Sequence, residues 1–239
     1  MKKFHLRQGP YSLTGLLFST IGFILVLLCL VGSQTASGRG LYFAKVTDAD
    51  PQSSIFTAYY GWQGYCLEDN GIDCQNDRSV MLVPFDVAIV NQLNTTHPRL
   101  FKDKIEQDTS LNPGAGPNPP HDPKIYPAAV LCLLCSAALL VTCAMRVVVP
   151  NKYQDEHYTR GFLAWGSAVL ALLLLVLSSV MYQGAIEQLT LAYPHLIASQ
   201  GPGMTMIGCA FASFVLAGYF LSRGCMALDS SNAEGYNPI

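Results

Sequence analysis

Four apolar runs constrain this chain more than any other feature. They occupy residues 11–33, 126–149, 161–182 and 204–222, and only the second contains a charged residue, Arg146 near its end. About 20 apolar residues in a helix cross the ~30 Å core of a bilayer, so each run reads as a membrane-spanning helix. Composition agrees. Only 13% of the 239 residues are charged and 51% are hydrophobic, whereas a soluble domain carries roughly a quarter charged residues. A net charge of −2 leaves no basic footprint for nucleic acid. The first run has a second reading, a secretory signal peptide ending in the small residues of 33–38. Its apolar stretch exceeds the ~7–15 residues of such a signal, which favours a retained span.

Lysine and arginine near the span ends set the orientation. Lys2, Lys3 and Arg7 precede the first span, Arg146, Lys152 and Arg160 flank the connection 150–160, and Arg223 follows the fourth. The connection 183–203 has neither residue. Segments 1–10, 150–160 and 223–239 are therefore expected in the cytosol. The long connection 34–125 and the shorter 183–203 are expected outside, the localisation of a multi-pass plasma-membrane protein. The single Asn-x-Thr sequon, at Asn94, falls in the outward connection and is a glycosylation candidate. The polar tail from residue 222 is expected to be disordered.

The outward connection has its own pattern. Residues 41–47 and 55–66 read as strands around the turn-like 48–54, and 80–85 as a third strand demoted to an edge by Pro84. Segments 86–93 and 98–107 read as short helices, and the proline-rich 112–123 as an extended linker. Its most distinctive stretch is Tyr59-Tyr60-Gly61-Trp62-Gln63-Gly64-Tyr65-Cys66, closed by Cys74. Aromatic residues suit a pleated strand, and Gly61 and Gly64 suit a bulge or a close backbone approach. The turn at Asn70-Gly71 between two cysteines reads as a disulfide-closed hairpin if the compartment is oxidising.

Cys66 and Cys74 are the only cysteines of the outward connection, so if they pair, they pair with each other. Cys29, Cys132, Cys135, Cys143 and Cys209 lie in spans, where a thiol behaves as a small hydrophobe. Cys132-x-x-Cys135 has redox spacing but no βαβ context, and reads as packing. Cys225, just past the fourth span, is a palmitoylation candidate.

No catalytic constellation emerges: His97 and His121 lie in the outward connection without a nucleophile elbow, a His-Glu-x-x-His motif or a phosphate loop. An enzyme is not expected, and no cofactor or metal site. Arg146 and Glu187 sit at span ends, where snorkelling accounts for them, and no span carries the ionisable groups of a pump. Glu68, Asp69, Asp73 and Asp77 cluster around the Cys66–Cys74 loop. They could attract cations or hold Ca2+ weakly, against the plainer reading of a solvated hairpin tip. Small-xxx-small pairs appear at Ala164/Ala168 and Ser167/Ala171 in the third span, and at Gly208/Ala212 and Ser213/Ala217 in the fourth. Packing within the bundle is their expected use, with lateral homo- or hetero-oligomers in the bilayer as the alternative.

Four spans, cytosolic termini, a large first outward loop and the motif Gly61-Trp62-Gln63-Gly64-Tyr65-Cys66…Cys74 resemble the claudin-like tetraspan superfamily, whose first loop carries a Gly-x-x-Gly-x-Cys…Cys signature. Within it, the chain looks most like the fungal mating-induced calcium-regulator and membrane-fusion family, where a Tyr-rich strand, here Leu41-Tyr42-Phe43-Ala44-Lys45-Val46, precedes the motif. Eisosome-associated and PalI-type pH-response tetraspans are near relatives. The resemblance implies an all-α four-helix membrane bundle crowned by a small extracellular antiparallel sheet from the first loop, with a Cys66–Cys74 disulfide pinning two strands. It implies a non-enzymatic role in Ca2+ entry or cell–cell fusion, or in organising the membrane. Gly61, Trp62, Gly64, Tyr65, Cys66 and Cys74 would form the scaffold. A cation-channel subunit is the other alternative.

Overall fold

The computed structural model describes residues 10–32, 40–48, 57–62, 65–68, 72–75, 125–148, 159–192 and 196–234. Among them are four long helices, α1 (Pro10–Val31), α2 (Ile125–Val148), α3 (Thr159–Ala192) and α4 (Pro202–Glu234). Five short strands accompany them: β1 (Ala44–Asp48), β2 (Thr57–Tyr60), β3 (Tyr65–Glu68), β4 (Ile72–Gln75) and β5 (Leu196–Gln200). Each helix is long and apolar enough to cross a membrane, and no more than 33% of each apolar window is buried inside the protein. The outward remainder includes Leu17, Ile21, Ile24, Leu134, Val141, Phe162, Val169, Val180 and Leu216. Side chains of that kind belong in lipid, where an α-helix satisfies its own backbone groups. The chain is a four-span membrane protein.

Two helices outrun their apolar spans. α3 continues through the polar 183–192, and α4 runs to Glu234, where a disordered tail was expected from residue 222. At 1.5 Å per residue, 33 residues make about 50 Å of helix, well beyond a ~30 Å core. No proline or glycine interrupts 225–234, so nothing local stops the helix there.

The described residues fall into two units, and every helix contributes to both. One draws on Met1–Leu27, Ala128–Leu173 and Ile207–Ile239. Its core joins Leu139 and Cys143 of α2, Ala164 of α3 and Ala217 and Leu221 of α4, with Leu16, Phe18 and Leu163 packed against them. Small residues bring the backbones close. A Cβ at Gly22 would stand 2.8 Å from the Phe214 ring. Ala164, Ala168, Ser167, Ala171, Ser213 and Ala217 are buried, so three of the four small-xxx-small pairs pack inside. Gly208/Ala212 does not: a Cβ on Gly208 would meet nothing within 4 Å, and Ala212 is exposed. The buried hydroxyls of Ser19, Ser136, Ser167 and Ser213 each donate to the carbonyl four residues back, which satisfies them inside an apolar bundle. Cys132 and Cys135 donate their thiols to the Ser167 and Leu163 carbonyls of α3, which fits a packing role. Arg160 is buried and donates to Ser12 Oγ at 3.2 Å.

The second unit draws on Leu28–Pro127 and Leu174–Met206 and contains the sheet, antiparallel throughout in the order β4-β3-β2-β1-β5. Two expectations need correction. The 55–66 stretch is not one strand. It breaks after Tyr60, and β2 and β3 form a hairpin with Tyr60 opposite Tyr65. The sheet is also not built from the first connection alone, because β5, from the connection between α3 and α4, pairs with β1 over five residues. The strand expected at 80–85, the helices at 86–93 and 98–107 and the linker at 112–123 lie outside the described residues.

Candidate functional site

The turn after β2 organises the second unit. Trp62 leaves the ladder and is fully buried, the largest side chain of the protein to be so. Its ring stacks on Phe43 with centroids 4.8 Å apart, and Phe43 also stacks on Tyr182 of α3 at 5.3 Å. Two hydrogen bonds close this stack. The indole Nε1–H of Trp62 donates to Ser178 Oγ at 3.0 Å, and the Tyr182 hydroxyl donates to the Gly61 carbonyl at 3.0 Å. Ser178 and Tyr182 lie four residues apart on α3, so they share one helix face. Both polar tips of a buried aromatic cluster thereby find partners, as burial requires.

A second junction ties β1 to the start of α4. Gly201 N–H donates to Phe43 O at 2.8 Å and Gly203 N–H to Tyr42 O at 2.9 Å. Any Cβ at Gly201 would collide with the Tyr42 carbonyl oxygen, so glycine permits the approach. Pro202 follows as the first residue of α4, where a missing N–H costs nothing. The Cys29 thiol of α1 donates to the Gly203 carbonyl.

Alternation divides the sheet into two faces. Ala44 and Val46 lie opposite Tyr60 and Ala58, and all four are buried. The other face carries the cross-strand row Lys45, Tyr59, Cys66 and Cys74. Cys66 and Cys74 face each other across β3 and β4, with Cα atoms 4.1 Å apart, and are joined by a disulfide. Beside them, Lys45 Nζ lies 5.7 Å above the Tyr59 ring, Tyr42 meets that ring edge-on at 5.1 Å, and the Tyr59 hydroxyl donates to Glu68 Oε2 at 3.3 Å. This half-buried cluster of aromatic and charged groups occupies the face opposite the buried one.

The expected scaffold residues therefore divide. Gly61 and Trp62 form the turn after β2 and meet Tyr182, Ser178 and Phe43, Cys66 and Cys74 join β3 to β4 on the other face, and Tyr65 opens β3 between Tyr60 and Gln75. Gly64, Asp69, Asp77, Asn94, His97 and His121 lie outside the described residues. Asp73 takes its place in β4 opposite Leu67, and Cys225 lies within α4. Glu187 is exposed on α3. Glu68 engages Tyr59 within the sheet. Among the described residues no group of three His, Cys, Asp or Glu converges as a metal site would require.

Sequence reasoning missed Phe43, Ser178, Tyr182, Gly201 and β5 as members of the site. A signal existed for some of them. Ser178 and Tyr182 are polar groups at helical spacing near the end of an apolar span, and Leu196–Gln200 is a short run stopped by Gly201-Pro202. Compared with known proteins, the chain matches no family model and no curated protein.

Proposed function

We propose that this four-span protein is a non-enzymatic, claudin-like organiser of the plasma membrane, working through its sheet and through lateral contacts in the bilayer at sites of cell–cell contact. Its service there is to Ca2+ entry or membrane fusion. The observation that carries this reading is the anchorage of the sheet: Trp62 on Ser178 and Tyr182 on Gly61 fix the β2–β3 turn to a membrane helix, and the disulfide joins β3 to the neighbouring β4. A stapled sheet held rigidly at a membrane suits recognition by apposition rather than turnover of a substrate. The Gly61-Trp62…Cys66…Cys74 motif and the alternation of long and short connections support the superfamily, and the sign of the flanking charges supports cytosolic termini. Glu68 is tied to Tyr59 within a surface cluster, which favours this reading over an open acidic vestibule feeding a cation pore.

The test compares cells lacking the gene with cells expressing the tagged wild type or the Cys66→Ser/Cys74→Ser pair. Ca2+ influx, fusion frequency and position of the tag are followed together. Accumulation at contact sites with influx or fusion lost in the deletion and in the double variant supports the proposal. Normal influx and fusion with a static, patchy cortical distribution would replace it with an eisosome- or pH-sensing role. Loss of uptake on neutralising Glu68, Asp69, Asp73 and Asp77 at equal surface level would turn it toward a channel subunit.

A further inference from the structure

β1 is an inner strand of the sheet, and its two neighbours come from opposite ends of the sequence. On one side lies β2, a few residues downstream. On the other lies β5, paired from Ala44↔Gln200 to Asp48↔Leu196. Among the described residues the β1–β5 ladder has five pairs and each of the others four, and Gly201 and Gly203 extend it onto the carbonyls of Phe43 and Tyr42. The buried aromatic stack has the same split origin. Phe43 and Trp62 belong to the first connection, but Tyr182, which stacks on Phe43, and Ser178, which accepts from the Trp62 indole, belong to α3.

We propose that the sheet of the first connection is not an autonomous domain, and that the segment 174–206 completes it, so that β1 and β2 become ordered only once α3 and β5 are in place. Remove that segment and β1 turns into an open edge with Phe43 and Trp62 stripped of cover. The indole N–H and the Gly61 carbonyl lose their acceptor and donor to water, and the apolar faces of Phe43 and Trp62, buried in the intact protein, are returned to it at a cost. What remains is a four-stranded meander of strands four or five residues long, whose apolar face has lost the element that buries it, and a sheet needs such a partner to be stable. The disulfide does not compensate, because it joins β3 to β4, the pair farthest from β5. Order in the first connection thus reports that the third and fourth helices have been inserted, an assembly check that no residue between 34 and 125 can satisfy by itself.

The full chain tests this in lipid nanodiscs, with Trp165→Phe making Trp62 the sole tryptophan. Adjacent prolines in β5 (Ile197→Pro/Ala198→Pro) remove backbone donors on both sides of that strand. Hydrogen exchange of β1 and β2 should then accelerate at least tenfold, and acrylamide should reach Trp62, while 132–143 of α2 keeps its wild-type exchange and Cys66–Cys74 stays oxidised. Wild-type protection of β1 and β2 with β5 opened overturns the proposal. If α2 loses protection as well, the milder Ser178→Ala/Tyr182→Phe pair decides. Selective loss in β1 and β2 supports the proposal, and unchanged protection there overturns it.

Discussion

Trp62 and Ser178 lie 116 residues apart in sequence and share one buried hydrogen bond, indole Nε1–H to Oγ at 3.0 Å. One belongs to a turn between two strands and the other to a helix that crosses the membrane. The bond is thus a point at which sheet and helix are made to agree. Ser178→Ala leaves the indole N–H buried without an acceptor, at a cost of about 1–3 kcal/mol. In a Trp62→Phe background the same substitution should cost much less, since no donor remains. Thermal unfolding of the four members of this cycle measures the coupling. Additive losses would mean that the bond contributes nothing.

The disulfide closes a short loop, and Cys66 and Cys74 are separated by eight positions. In the chain-entropy account, a loop of this size is worth about 2.5 kcal/mol. The Cys66→Ser/Cys74→Ser pair should lower stability by that order and should speed exchange in β3 and β4 first. A loss confined to β1 and β5 would contradict the register seen here.

Two glycines at the start of α4 make opposite predictions. Gly201→Ala places a Cβ against the Tyr42 carbonyl oxygen, a backbone atom that cannot swing aside, so β1 and the start of α4 must separate. A loss above about 2 kcal/mol is expected. Gly208→Ala enters open space and should be neutral or stabilising by up to ~1 kcal/mol through helix propensity. Equal effects at the two positions would refute the close approach at Gly201. Lost self-association in Gly208→Ile, with stability unchanged, would reveal a lateral contact on that outward face.

Arg160 donates to Ser12 while buried. Ser12→Ala withdraws an acceptor from a charged donor, for which about 1.5–3 kcal/mol is the usual scale. The loss should appear as faster exchange at the beginning of α1, within 12–20. Unchanged exchange there would show that the guanidinium is fully served by other groups.

How much of this was legible beforehand differs from element to element. The helices were, because an apolar run of span length has one stable conformation in a bilayer. α1 and α2 match expectation to within two residues at each end. The Cys66–Cys74 hairpin was too, because its turn residues and its two cysteines are local to each other. The split of 55–66 into two strands was not. Gly61 and Gly64 looked like a bulge within a strand, and only the burial of Trp62 against Phe43 and Ser178 turns the chain there.

By itself, then, the sequence determined the four membrane helices, the strand-rich first connection and the position of the disulfide, since each follows from composition or spacing within a few tens of residues. Only the tertiary structure decided that β5 completes the sheet, that Phe43 and Trp62 are covered by Tyr182 and Ser178, and that Gly201 rather than Gly208 is the glycine that cannot change. The reason is physical. Pairing energies depend on which surfaces meet, and surfaces brought together from 100 or more positions apart leave no periodic trace in either partner.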